Sequence, residues 1–328
     1  MKNIQADIKS GNFKQVYLLY GEEAYLKQQY KQNLVKALNP DGDTMNFNHY
    51  EGKGIDVKQL IDLCETMPFF AERRVVLLED TGFFKNKCEK LADYMKELPD
   101  YLYLVFAETE VDKRNRMYKA VKACGSIAEF IRQDEKTLMR WAAGILGKAG
   151  KKITQRDMEL LLTKTGTDMG NLRMEMEKLI SYTEGRDVVT AEDIEEICTT
   201  QTTNRIFDMV RAVTEKNQKR ALELYYDLLT LKEPPMRILF LLAKQYRQLL
   251  LAKQFAAAGL AQTEIASKLG VPGFVVRNIT TCARAYTISE LEQAVKDFVD
   301  AEESVKTGRL EDKLSVELLI IKYSSKVK

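Results

Sequence analysis

Up to about residue 135 the chain alternates short apolar runs with amphipathic stretches, and past that point the strand signals stop. The runs are Val16 to Tyr20, Met45 to Tyr50, Val75 to Leu78, Tyr101 to Phe106 and Ile127 to Phe130. They are rich in β-branched and aromatic residues, as strands buried on both faces should be. Between them the period changes. Val57, Leu60, Ile61 and Cys64 are spaced i, i+3, i+4 and i+7, which places them on one helix face. Strand–helix alternation of this kind implies a parallel sheet with helices on both sides.

After residue 135 the pattern is helical. Gly144, Gly147 and Gly150, followed by Lys151-Lys152, mark a break in or between helices. Short helices are expected over 138–200, with Thr190-Ala191-Glu192-Asp193 reading as an N-cap and acidic first turn. Pro234-Pro235 opens a long helix from Met236 to about Ala257, since proline is tolerated in a first turn. The expected fold class is therefore α/β followed by all-α. Three domains are expected: 1–137 α/β, 138–202 a small helical domain, and 203–328 a larger helical domain. The most apolar stretch, Ile238 to Ala243, is interrupted by Lys244, Gln245, Tyr246, Arg247 and Gln248, so it reads as a helix among helices rather than a membrane span. Met1 to Asp7 has no apolar core, and no signal peptide is expected.

Charge decides little: 50 basic against 48 acidic residues leave +2, which neither supports nor excludes a nucleic-acid partner. Side-chain chemistry decides more. The five cysteines are far apart and never in a Cys-x-x-Cys pair, which argues against disulfides and structural zinc and for reduced thiols in a cytosol. His49 is the only histidine, so a histidine-rich metal site is excluded. It reads as part of a strand end, and neither a cofactor nor a metal is expected.

A strand–helix start invites a phosphate loop, Gly-x-x-x-x-Gly-Lys-Ser/Thr, whose amides wrap phosphates while lysine and hydroxyl handle charge and magnesium. Here the first strand ends Tyr20-Gly21-Glu22-Glu23-Ala24. One glycine remains, the lysine and hydroxyl are missing, and two carboxylates stand where a triphosphate would arrive. Glu22 and Glu23 also suit a helix N-terminus. Gly147-Lys148-Ala149-Gly150-Lys151-Lys152 has the wrong spacing and no preceding strand. Val75 to Asp80 resembles a magnesium-holding strand end, but without a phosphate cradle it has nothing to act on. Gly21, Glu22 and Glu23 thus mark a degenerate nucleotide site not expected to bind.

Met67-Pro68-Phe69-Phe70-Ala71-Glu72-Arg73-Arg74 follows the helix of 57–65. Pro68 disfavours helix at Met67. Adjacent Phe69 and Phe70 cannot share one face of a helix or strand, so at least one should point away from its own core. Two such aromatics suit a pocket on another protein. Spacing alone leaves open that both bridge two core layers.

With these stretches the chain resembles the delta-subunit family of the bacterial DNA polymerase III clamp loader. The matches are Val16 to Glu23, Thr66 to Leu78, Gly170 to Leu179, Ile265 to Leu269, and Val305 to Gly308 with Leu314 to Leu319. They run in family order across nearly the whole length, with the phosphate loop missing where that family lacks it. The resemblance implies an AAA+-like module without a P-loop, a helical lid over 138–202 and a helical collar over 203–328. It implies that Phe69 and Phe70, with Met67 nearby, insert into a pocket on a ring-shaped sliding clamp and open it. Phe69 departs mildly from members that carry an aliphatic residue there. It further implies no catalytic residue, with ATP handled by neighbouring gamma/tau-type subunits beside a delta-prime-type subunit, around primed DNA in the cytoplasm. Arg173 falls where active relatives sense nucleotide, and without a P-loop it reads as a surface or inter-domain residue.

The rival reading is a helix-turn-helix regulator. Gln262 to Arg277 reads that way: the first helix carries Ile265-Ala266 and Leu269, the turn holds Gly270, Val276 packs back, and Gly273, Phe274, Val275 and Val276 lie near the start of the second helix. A base-reading helix needs polar groups there, and these residues are better suited to packing. A reader would expose 272–278, whereas a collar would bury much of that face. Lys306 and Arg309, with Lys244 and Arg247, are candidates for a DNA-contacting stripe, against the plainer reading of a charged helix surface.

Overall fold

The computed structural model describes residues 2–199 and 202–325, with backbone only at 2, 202–204 and 274. The chain forms two compact units, 1–133 and 134–328.

The first unit contains α1 (Lys2–Ser10), β1 (Val16–Tyr20), α2 (Ala24–Leu38), β2 (Phe47–Glu51), α3 (Val57–Cys64), β3 (Arg74–Glu79), α4 (Glu89–Tyr94), β4 (Leu102–Glu108), α5 (Arg116–Cys124) and β5 (Ser126–Glu129). The five strands form one parallel sheet in the order β2-β3-β4-β1-β5. Strand residues alternate between two cores, as the period of two requires. Val16, Leu18, Val76, Leu78, Leu104 and Phe106 pack with Leu60, Leu91 and Val121 on one face. Tyr17, Leu19, Val75, Leu77 and Val105 pack with Ile4, Leu34 and Leu38 on the other. Asp56 caps α3 through the amides of Lys58 and Gln59, and Leu60 and Cys64 are its buried face.

The second unit contains α6 (Glu135–Lys148), β6 (Lys152–Ile153), α7 (Gln155–Thr165), α8 (Met169–Tyr182), β7 (Val188–Val189), α9 (Ala191–Ile197), α10 (Thr202–Thr214), α11 (Gln218–Thr230), α12 (Pro235–Ala257), α13 (Gln262–Leu269), α14 (Gly273–Ala283), α15 (Ile288–Lys306) and α16 (Asp312–Ser324). It holds two apolar cores: Leu146, Leu161, Leu172, Met176 and Ile194 centre one, and Tyr225, Leu242, Tyr246, Leu249 and Phe298 centre the other. Thr190 and Asp193 form the capping box of α9. The expectation of no strand beyond residue 135 is corrected by the β6–β7 pair, where Lys152 pairs with Val188 and Ile153 with Val189. A strand of two residues is too short to show an alternation. Among the described residues no helix is long and apolar enough to cross a membrane.

Candidate protein-docking hook and closed nucleotide edge

The loop between α3 and β3 presents the hook. Phe70 is 95% exposed, Phe69 57% and Met67 75%. Their exposure resolves the alternative that spacing left open: neither phenylalanine is a core residue. The rings touch edge to face, with centroids 4.5 Å apart. Phe70 adopts φ +50°, a left-handed conformation that costs a residue with a Cβ about 1–2 kcal/mol.

Buried polar side chains hold the loop in this shape. The Asn46 amide brackets Phe69, its Oδ1 accepting from the Phe69 N–H at 2.7 Å and its Nδ2 donating to the Phe69 carbonyl at 2.8 Å. Asp43 steadies Asn46 by accepting from Nδ2 at 2.6 Å. That hydrogen bond is the main reason the Asp43 carboxyl titrates below its usual range. From the other side, buried Arg74 donates from Nε to the Thr66 carbonyl at 2.9 Å, from Nη2 to the Met67 carbonyl at 3.3 Å, and from Nη1 to Asn48 Oδ1 at 3.1 Å. Arg73 lies over the rings of Phe13 and Tyr103, at 5.2 and 5.4 Å from their centroids. Sequence reading missed Asn46 and the role of Arg74, because their partners are fixed by tertiary structure rather than by any local period.

The crevice at the carboxyl ends of the strands is where open parallel sheets usually bind ligands. Here β2, β3, β4 and β5 end in Glu51, Glu79, Glu108 and Glu129. At the end of β1, Gly21 has φ +123°, and a Cβ there would stand 2.3 Å from the Phe130 carbonyl oxygen. The Glu23 N–H donates to that same carbonyl at 3.0 Å. Glu23 is buried, while Glu22 is exposed and lies 3.5 Å from Arg132. Two lysines of α2 reach into this edge. Lys31 pairs with Glu79 at 2.6 Å, and Lys27 donates to the Glu108 carbonyl at 2.9 Å. Burial pulls the Lys27 ammonium below its usual range, against the charges of Asp80, Glu108 and Glu79. His49, in the middle of β2, places Nε2 2.9 Å from Glu79. The buried Glu108 carboxylate accepts from the Thr81 hydroxyl at 2.5 Å and the Thr81 N–H at 3.1 Å. Lys27 and Lys31 thus already face the chain's own oxygens.

The other candidate residues lie in the second unit. Lys306 pairs with Glu302 at 2.6 Å and Arg309 with Glu303 at 2.9 Å, so each cation has a local acidic partner. Arg173 pairs with Glu177, one turn along α8, at 2.8 Å. Helices α13 and α14 do flank Gly270 in the left-handed conformation, as a helix-turn-helix would. Yet Val276 and Ile279 are buried, and Pro272, Val275 and Asn278 line a cavity of about 410 Å3 together with Leu160, Thr163 and Phe207. Val275 and Val276 thus face other helices rather than standing free, while Gly273 and Arg277 are exposed; the Phe274 side chain lies outside the described residues. Among the described residues no group of His, Cys, Asp and Glu could hold a metal ion.

Comparison with known proteins gives consistent matches. The family described as "DNA polymerase III, delta subunit" matches residues 17–130, and "DNA polymerase III delta subunit, C-terminal domain" matches 203–323. The DNA polymerase III subunit delta of Bacillus subtilis (strain 168) is 26% identical over 332 residues, covering 97% of this chain and 95% of that protein. The probable DNA polymerase III subunit delta of Aquifex aeolicus (strain VF5) is 22% identical, covering 78% and 75%. In fold, the chain is similar to the solved Bacillus subtilis DNA clamp loader delta protein, with a TM-score of 0.67 at 24% identity and 99% of each chain covered.

Proposed function

Since this chain belongs to the DNA polymerase III delta-subunit family, we propose that it is the non-catalytic clamp-loader subunit that binds the sliding clamp and opens its ring for loading onto primed DNA. The observation that carries this reading is Phe70, 95% exposed and held in a left-handed conformation on a loop tied at both ends. An exposed aromatic pair preset in one shape loses little conformational entropy on entering an apolar pocket, which is the condition for an efficient anchor. Met67, Phe69 and Phe70 enter a pocket on the clamp, and the energy gained there offsets the loss of one contact between ring subunits.

The AAA+-like module contributes shape and no hydrolysis. Four glutamates at the strand ends, with Lys27 and Lys31 already engaged, support a site at Gly21, Glu22 and Glu23 that takes no nucleotide. ATP turnover then belongs to gamma/tau-type neighbours, with a delta-prime-type subunit completing the ring in the cytoplasm. The two cores of the second unit support a lid over 138–202 and a collar over 203–328. Leu314, Leu318 and Ile321 form an exposed stripe along α16 that suits collar assembly. Lys306 and Arg309 would meet DNA phosphates with their charge already partly offset by Glu302 and Glu303.

The test is binding of the purified chain to its cognate sliding clamp without nucleotide, comparing wild type with Phe69→Ala/Phe70→Ala. Binding that the double variant loses by about 2 kcal/mol or more is expected. A wild-type chain that ignores the clamp overturns the reading.

A further inference from the structure

The hook has an exposed neighbour. Met45 is 65% exposed, although it sits on an ordered turn: its N–H donates to Asp43 Oδ1 at 2.7 Å. The next residue, Asn46, is the one whose amide brackets the Phe69 backbone at 2.7 and 2.8 Å. One Cα–Cα step is about 3.8 Å, so the Met45 backbone lies within about 10 Å of Phe69. Met45 and the hook therefore share one rigid polar frame, Asp43–Asn46–Phe69, although 23 residues separate Asn46 from Phe69 in sequence. Phe47, on the other side of Asn46, packs against the core, so Met45 is the apolar residue of this turn left to solvent. A single exposed methionine is ordinary, but one fixed to the frame of an aromatic anchor enlarges that anchor's apolar surface. The methionine thioether also adapts to irregular pockets.

We propose that Met45 is a second anchor for the sliding clamp, and that the clamp-contacting surface continues from Phe69 and Phe70 across the Asp43–Asn46 turn. This rests on the clamp-binding reading of the hook. Its partner is the clamp because the frame places Met45 beside residues that reading already assigns to the clamp.

The experiment measures nucleotide-free affinity for the clamp in wild type, Met45→Ala, Met45→Lys, Phe70→Ala and the Met174→Ala control, which removes an exposed methionine of α8. Urea unfolding midpoints are recorded alongside. Met45→Ala should weaken binding about fivefold and Met45→Lys more than tenfold, with unfolding midpoints and Met174→Ala binding unchanged. Wild-type affinity in both Met45 variants, with Phe70→Ala weakened, overturns the second anchor and leaves the hook standing. Loss in the Met45 variants with Phe70→Ala silent keeps the Met45 surface and overturns the hook. A wild type that does not bind overturns both.

Discussion

Replacing Phe70 by glycine and by alanine should reverse the usual order of these residues in stability while weakening the proposed clamp binding equally. Both variants remove the ring and its contact with Phe69, so they differ only in one Cβ. At φ +50° that Cβ costs about 1–2 kcal/mol. Glycine's greater unfolded-state freedom returns about 0.5–1 kcal/mol of that advantage. Phe70→Gly should therefore be more stable than Phe70→Ala by up to about 1.5 kcal/mol, read as a higher urea midpoint at unchanged slope. Clamp affinity should fall alike in both. A phenylalanine buries at least about 150 Å2, worth about 4 kcal/mol at ~25 cal/mol per Å2, less up to about 1 kcal/mol for ordering the side chain. The remaining loss of about 3 kcal/mol is roughly two orders of magnitude in Kd. A more stable alanine variant would refute the strained backbone, and wild-type affinity in either variant would refute Phe70 as an anchor.

Three further outcomes follow from the same geometry. Arg74→Met leaves the Thr66 and Met67 carbonyls without their donor, and it should cost about 2–3 kcal/mol in denaturant unfolding and weaken clamp binding as the hook loosens. Gly21→Ala drives a Cβ to 2.3 Å from the Phe130 carbonyl at a φ only glycine holds easily, so the first unit should lose at least about 2 kcal/mol, measured by urea unfolding. Burial raises the Glu108 carboxyl above its ordinary value, against the Thr81 hydroxyl and the Gly82 and Thr81 amides. The folded state then binds this proton more tightly than the unfolded one, so its contribution to stability rises as pH falls from above the folded value towards the unfolded one. In paired unfolding curves Glu108→Gln should lose that increment, and identical pH dependence in the two proteins would contradict it.

Where the sequence was readable, a period or a cap made it so. β1 occupies the run Val16 to Tyr20, α3 buries Leu60 and Cys64, and proline opens α12. β2 begins at Phe47 rather than Met45: the Met45 N–H and the Asn46 side chain serve the Asp43–Asn46–Phe69 frame, while the Asn46 carbonyl still accepts from the Val75 N–H of β3 at 2.9 Å. The site was half readable. The Phe69-Phe70 pair stands out, but the bonds from Asn46 to Phe69 and from Arg74 to Asn48, which help fix the loop that exposes it, join residues 23 and 26 positions apart. The missing phosphate loop could be seen as an absence, whereas the Lys31–Glu79 pair that occupies the neighbouring edge depends on how α2 lies over β3.

That ion pair also bears on timing. An enzyme with an open phosphate crevice carries its own clock, because filling and emptying the crevice alternately assembles and releases that edge. Here Lys31 and His49 both contact Glu79 at that edge, so part of it is occupied by the chain's own groups. On the reading proposed above, Phe70 is presented at 95% exposure without any change at that edge. If the hook binds the clamp as proposed, the moment of gripping would be set by what covers or uncovers Phe70, and the schedule would belong to the neighbours.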